Sequence, residues 1–277
     1  MPAYPSSTRP ERRRQQHWQL LLGLLLAFWV GSAAGVPELQ HWQNKRYIED
    51  SFYDIVLRGE YEQVRPVIRK WAQPLRIWMH SSAGDAFQQK RLLAMHFVHL
   101  GDIVGLPVEL VEKREQANVR VFFTSDNETA TTAAREMSPL AARQLDHSVC
   151  LGQIRFNRWS EITRGTVIIP VERALREQKL VPCVVEEMTQ MLGLINDSER
   201  YYPTVFSDIT DDELLTGLDY VLLKLLYSPE LRTGMTISQA APYIRRQLDA
   251  WERSGMIRRA DSEISDGPLY VALEPAK

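Results

Sequence analysis

From Trp18 to Pro37 the chain carries no charged side chain, and Arg9, Arg12, Arg13 and Arg14 stand just before it. The run is rich in leucine (Leu20, Leu21, Leu22, Leu24, Leu25, Leu26) and continues through Ala27, Phe28, Trp29 and Val30. It is too apolar to share water with the rest of a small globular domain, so it divides the chain in two. A basic stretch, an apolar stretch and then Ser32-Ala33-Ala34 is the pattern of an export signal. The same run is also just long enough to stay as an N-terminal membrane anchor. In both cases the arginines remain cytoplasmic and everything after about Val36 faces outward, in the periplasm or held at the inner membrane facing it. No Phe-Leu-Lys-like continuation follows the arginines, which disfavours twin-arginine export. No cysteine lies near the cleavage site, which disfavours a lipid-anchored protein.

The remaining chain has ordinary globular chemistry. Of the 277 residues 44% are hydrophobic and 25% charged, which excludes disordered and polytopic membrane classes. Lys and Arg number 33 against 35 Asp and Glu, and removing residues 1–34 leaves 29 against 34. A mildly acidic domain lacks the basic excess of a nucleic-acid binder. Its two cysteines, Cys150 and Cys183, would both sit in an oxidising compartment. A disulfide between them is expected, with two buried free thiols as the alternative.

Hydrophobic periodicity divides the exported part into a helical lead-in over 37–69 and a main domain over 70–277. The period-two run Leu75 to Met79 reads as a strand, Phe87 to Val104 as a long helix, and Val108 to Val111 and Asn118 to Phe123 as strands. A loop with a short helix covers 124–148. Cys150 to Phe156 and Gly165 to Pro170 read as further strands, Val171 to Gln178 as a short helix, and Cys183 to Leu192 as a helix stopped by Gly193. Asp211 to Tyr227 and Ile237 to Arg253 read as helices, and Leu269 to Leu273 as a weak final strand. The class is α/β or α+β, with a twisted mixed sheet and a helical C-terminal part.

The segment Cys183-Val184-Val185-Glu186-Glu187-Met188-Thr189-Gln190-Met191-Leu192-Gly193-Leu194-Ile195-Asn196-Asp197 fits the frame of a zinc-peptidase helix in which every histidine has been replaced. In H-E-x-x-H enzymes two ligands four apart share one helix face and the Glu between them activates water. In the metzincin branch a glycine turn leads to a third ligand. Here Glu186 and Gln190 take the helical ligand positions, Glu187 the base position and Asn196 the third position, with Asp197 beside it. Met235, in Thr233-Gly234-Met235-Thr236, resembles the Met-turn that supports such sites. With K-W-x-x-P-L-R-I from Lys70 and L-Y-x-x-x-L-x-x-G-M from Leu226, the pattern resembles an exported Gram-negative family known as domain of unknown function 2927. That resemblance implies a zincin-like, metallopeptidase-like fold and an envelope location, and brings no known reaction.

The substituted donors decide the chemistry to expect. Zinc prefers nitrogen and sulfur, so Glu186, Gln190 and Asn196 are expected to hold no zinc. Divalent ions that accept oxygen donors are the alternative, with Asp197 and Asp208 adding carboxylates. Without a metal, Glu187 has only ordinary water to activate. A Gln190 to Glu186 hydrogen bond is the expected i,i+4 pairing. His96 and His99, three apart on one helix, read as structural, and His80 and His147 have no recognisable partner. The leading expectation is therefore a non-catalytic module that binds a peptide or an envelope protein. An atypical metal-dependent hydrolase using Glu187 is the second reading. A membrane-tethered adaptor docking through the stripe Tyr243, Ile244, Gln247, Leu248, Trp251 and Met256 is the third.

Overall fold

A computed structural model describes residues 40–59, 64–207, 209–210 and 212–273. Contacts divide the chain into Met1–Glu38 and Leu39–Lys277. The signal or anchor segment and Asp208 lie outside the described residues. Among those described, no helix is long and apolar enough to cross a membrane.

The sheet has six strands: β1 (Lys70–Trp71), β2 (Leu75–Ser81), β3 (Val108–Leu110), β4 (Val119–Thr124), β5 (Leu151–Phe156) and β6 (Glu161–Pro170). Hydrogen bonding runs β3, β2, β4, β6, all parallel. β6 has two more partners. β1 joins its first residues in parallel, Lys70 opposite Glu161, and β5 joins it antiparallel, Leu151 opposite Ile168. β5 and β1 both pair with Ile162, so they lie on opposite sides of β6 and β5 forms an edge of the sheet.

Both faces of this sheet are covered, which is why β4 and β6 read as near-continuous apolar runs. Val121, Phe123, Val167 and Ile169 enter the main core. Phe122 and Ile168 face the other way, into a smaller core with Ala133, Met137, Ala141 and Leu145. Those four come from α3 (Asp126–Glu136), its following turn, and α4 (Pro139–Gln144) with its cap, two helices where the sequence suggested a loop with one.

The main face carries α2 (Ala86–Val104), packed on α6 (Leu180–Gln190), with α5 (Val171–Arg176) leading into α6. Asp85 starts α2 by accepting from the Phe87 and Gln88 amides, and Gly105 ends it in the left-handed region that favours glycine. α7 (Gly217–Leu226) packs on α2 and on α9 (Met256–Ser265), and α1 (Lys45–Leu57) packs on α8 (Ile237–Ser254). The expected lead-in helix is shorter than its pattern. Asn44 caps α1, which ends at Leu57, and residues 64–69 are largely extended because Ile68 hydrogen-bonds with Met235 and Gly234. The helix expected over 211–227 begins only at Gly217, behind a Thr216–Asp219 capping box.

The last expected strand is a correction. Leu269 to Leu273 lies in helix α10 (Pro268–Leu273), whose Val271 amide returns to the Gly267 carbonyl and whose Leu269 is buried. The helix packs on α2, and that contact overrides the β preference of Tyr270 and Val271. The apolar stripe of α8 is also accounted for inside the molecule. Ile244 and Leu248 are buried, and Tyr243 and Trp251 pack on the core.

Candidate functional site

α6 crosses the sheet where β5 and β6 lack side chains. Gly152 pairs with Val167 and Ile154 with Gly165, so both glycines lie on one face. A β-carbon on Gly152 would collide with the Glu187 carboxylate and approach Met191 Cε to 2.7 Å. One on Gly165 would meet Met191 Sδ at 2.7 Å. The two glycines let the helix approach the strands closely enough to hold Glu187, 4% exposed, against the edge strand.

Around this crossing lies a cavity of about 380 Å³. Glu186, Glu187 and Gln190 line it from α6, Ser148 to Leu151 from the edge-strand side, and Asp197, Ser207 and Asp212 from the following loop. Gln190 donates its amide to Asp197 Oδ1 at 3.2 Å rather than to Glu186. Asn196 does not line the cavity. Its backbone amide donates to the Ile55 carbonyl and its side chain to the Asp197 carbonyl at 2.6 Å. The third position of the peptidase frame is thus turned to structural use. Among the described residues no group of three or more His, Cys, Asp or Glu is placed to hold a metal ion. Glu186 and the amide of Gln190, with Asn196 turned away, do not fit the nitrogen and sulfur set that zinc prefers.

Several elements fix α6 in place. Cys150, one residue before β5, is disulfide-bonded to Cys183 in α6, with Cα atoms 5.9 Å apart. His96 of α2 is buried behind the helix, and its Nε2 donates to the Val185 carbonyl at 3.1 Å. Burial, then the neighbouring His99, push its pKa down to about 3, so it stands neutral. His99 packs beside Gly267 instead of joining His96 as a ligand pair.

Residues 45–246 match the family described as Protein of unknown function (DUF2927). The chain belongs to this family. Nothing among curated proteins or solved structures matches the chain.

In this DUF2927 domain the motif residues outside the cavity hold the end of α6 in place. Trp71 Nε1 donates to the Met191 carbonyl at 2.7 Å, and Tyr227 Oη to the Leu192 carbonyl at 2.9 Å. Lys70 Nζ donates to the Leu226 and Ser228 carbonyls at 3.0 and 3.1 Å, closing the C-terminal end of α7. Burial pushes the Lys70 pKa down to about 8, against a smaller opposing pull from Glu230. Gly193 turns the chain with φ of 110°, and a β-carbon there would meet the Arg69 carbonyl at 2.6 Å. Met235 accepts the Ile68 amide through its carbonyl and lines a different hollow, away from Glu187. Lys179, Ser148 and Asp212 are cavity residues that no sequence pattern singled out. Gly152 did carry a signal, because a glycine inside a strand marks a close approach.

Proposed function

We propose that the chain is an exported, envelope-facing protein whose zincin-like domain binds an extended peptide or protein segment without hydrolysing it. One observation carries this reading: β5 is an edge strand with no partner on its outer side among the described residues, and it runs along a groove floored by α6. The groove continues from the cavity at Glu187 into a second stretch of about 160 Å³ between Leu140 and Ala141 on one side and Gly152 to Ile154 on the other, with Gln190 shared by both. An edge strand offers alternating amides and carbonyls, and an added strand satisfies them while its side chains enter the flanking pockets.

The zincin-like assignment is supported by a mixed sheet whose antiparallel edge strand lies beside a helix bearing Glu186, Glu187 and Gln190 in the peptidase frame. The non-catalytic assignment is supported by the donors. Gln190 is engaged with Asp197 and Asn196 is turned away, and without a metal Glu187 would have only ordinary water of very high pKa to activate. The uncharged run before Pro37 supports export.

A photocrosslinking residue placed at Leu140, on the rim of the groove, and in a second strain at Tyr243 on α8, tests the reading in the bacterial envelope. A covalent protein or peptide adduct from Leu140 and none from Tyr243 is expected. Adducts from Tyr243 alone would favour the tethered adaptor. Peptide hydrolysis by the purified chain that disappears in Glu187→Gln would replace binding with catalysis.

A further inference from the structure

The groove along β5 does not end at Phe156. Val64 and Phe156 line its second stretch, and their near neighbours Arg65, Arg158 and Trp159 line an adjoining open hollow of about 770 Å³ together with Arg232. Arg65, Arg158 and Arg232 are exposed, and none of them forms an ion pair among the described residues. Glu161 is the one carboxylate in that lining, and it accepts a hydrogen bond from Asn157 Nδ2 at 2.9 Å.

A fourth guanidinium lies behind. Arg69 is 1% exposed, its Nη atoms donate to the Val67 and Arg65 carbonyls, and its Nε has no hydrogen-bond partner. It sits 4.7 Å from the centre of the Phe156 ring, and burial together with the charge of Arg65 lowers its pKa. Guanidinium groups that outnumber the single carboxylate among them create a positive potential that an incoming anion relieves. Planar, fork-shaped donors suit carboxylate oxygens in particular. Trp159, 58% exposed with the Arg158 guanidinium 4.1 Å from its ring centre, adds a flat apolar wall.

The first cavity, at the other end of β5, is lined by Lys179 and by Glu186, Glu187, Asp197 and Asp212. We infer that the arginine-lined hollow is a subsite for acidic side chains at one end of an extended segment held along β5. β5 itself, Leu151 to Phe156, spans about 17 Å at ~3.3 Å per residue, and Arg158 stands in the turn just beyond it. The inference rests on the reading of β5 as the peptide-binding edge. A peptide is favoured over a phosphate ligand because the hollow lies at the turn that ends that strand.

Random decamers displayed and panned against the full chain in neutral-detergent micelles test it, beside the Arg158→Ala/Arg232→Ala variant, in which both replaced side chains are exposed. Wild type is expected to select decamers with Asp or Glu clustered at one end. The variant is expected to select decamers without that bias and to bind the wild-type winners about tenfold more weakly. Decamers selected without acidic bias, or with a bias that survives in the variant, would overturn the subsite and leave the β5 reading standing. Selection of no decamers by either protein would remove both. Arginine-dependent binding of inorganic phosphate, or of micelles doped with phosphatidylglycerol, without acidic bias among the decamers, would make the hollow a phosphate site and overturn the peptide assignment.

Discussion

Gly152 and Glu187 are 35 positions apart in the chain and touch across the groove, and their contact depends on a missing methyl group. Gly152→Ala is expected to lower stability by about 1–3 kcal/mol, since Glu187 and Met191 have little room to move. Urea denaturation checks this through a lower midpoint at unchanged slope. At this scale helical spacing, a local rule, put Glu186, Glu187 and Gln190 on one helix, and all three line the cavity. Asn196 was not legible. Its place is set by the Ile55 carbonyl, which belongs to α1 and lies 141 positions earlier. Nothing near Asn196 announces that partner. The Gln190 hydrogen bond was misread for a similar reason, since Asp197 reaches it only after Gly193 has turned the chain back.

The element that matters most for the site is α6, and it is held to the edge strand covalently. Cys150 and Cys183 close a loop with a sequence separation of 33, and cross-linking a loop of that size removes about 3–4 kcal/mol of unfolded-state entropy in the chain-entropy model. Cys150→Ser/Cys183→Ser is therefore expected to unfold at lower denaturant by that order. Because β5 and α6 both line the proposed groove, loss of decamer binding is expected before loss of the far-ultraviolet signal. Cysteine count, with the expectation of an oxidising destination, made this bridge legible. The strands from Leu75 to Pro170 and helix α2 were legible too, since period two and period 3.6 are printed in their side chains. Helix α10 was not, because Leu269, Tyr270 and Val271 look like a strand until α2 lies against them. Extension of the lead-in past Leu57 failed likewise, where residues 64–69 pair with the segment around Met235 instead of continuing a helix.

Across the whole molecule, two buried groups titrate in opposite senses. His96 has a folded pKa of about 3, below its ordinary 6.5, so the stability it confers is present above about pH 6.5 and is lost as acid protonates the unfolded chain. Asp219 is fully buried, and burial raises its pKa from 3.8 to about 6 despite bonds from Thr204, Thr216 and the Val205 amide. Its contribution is present below about pH 3.8 and is lost as pH rises through about 6. Between about pH 4 and 6 the two slopes oppose each other. In Asp219→Asn the unfolding free energy is expected to fall with acid more steeply than in wild type across that window, by about 1 kcal/mol per pH unit. Denaturant unfolding at pH 4, 5 and 6 measures the difference, and parallel profiles would refute it.

By itself the sequence determined the uncharged run before Pro37, the mixed α/β class, the disulfide, the family and the helix bearing Glu186, Glu187 and Gln190, because each is written in local composition, spacing or periodicity. Only the tertiary structure decided that Asn196 leaves the cavity and Met235 lies elsewhere. It alone gathered Glu186, Asp197 and Asp212 around one cavity and Arg65, Arg158 and Arg232 around another hollow, since those positions come from contacts between segments far apart in the chain.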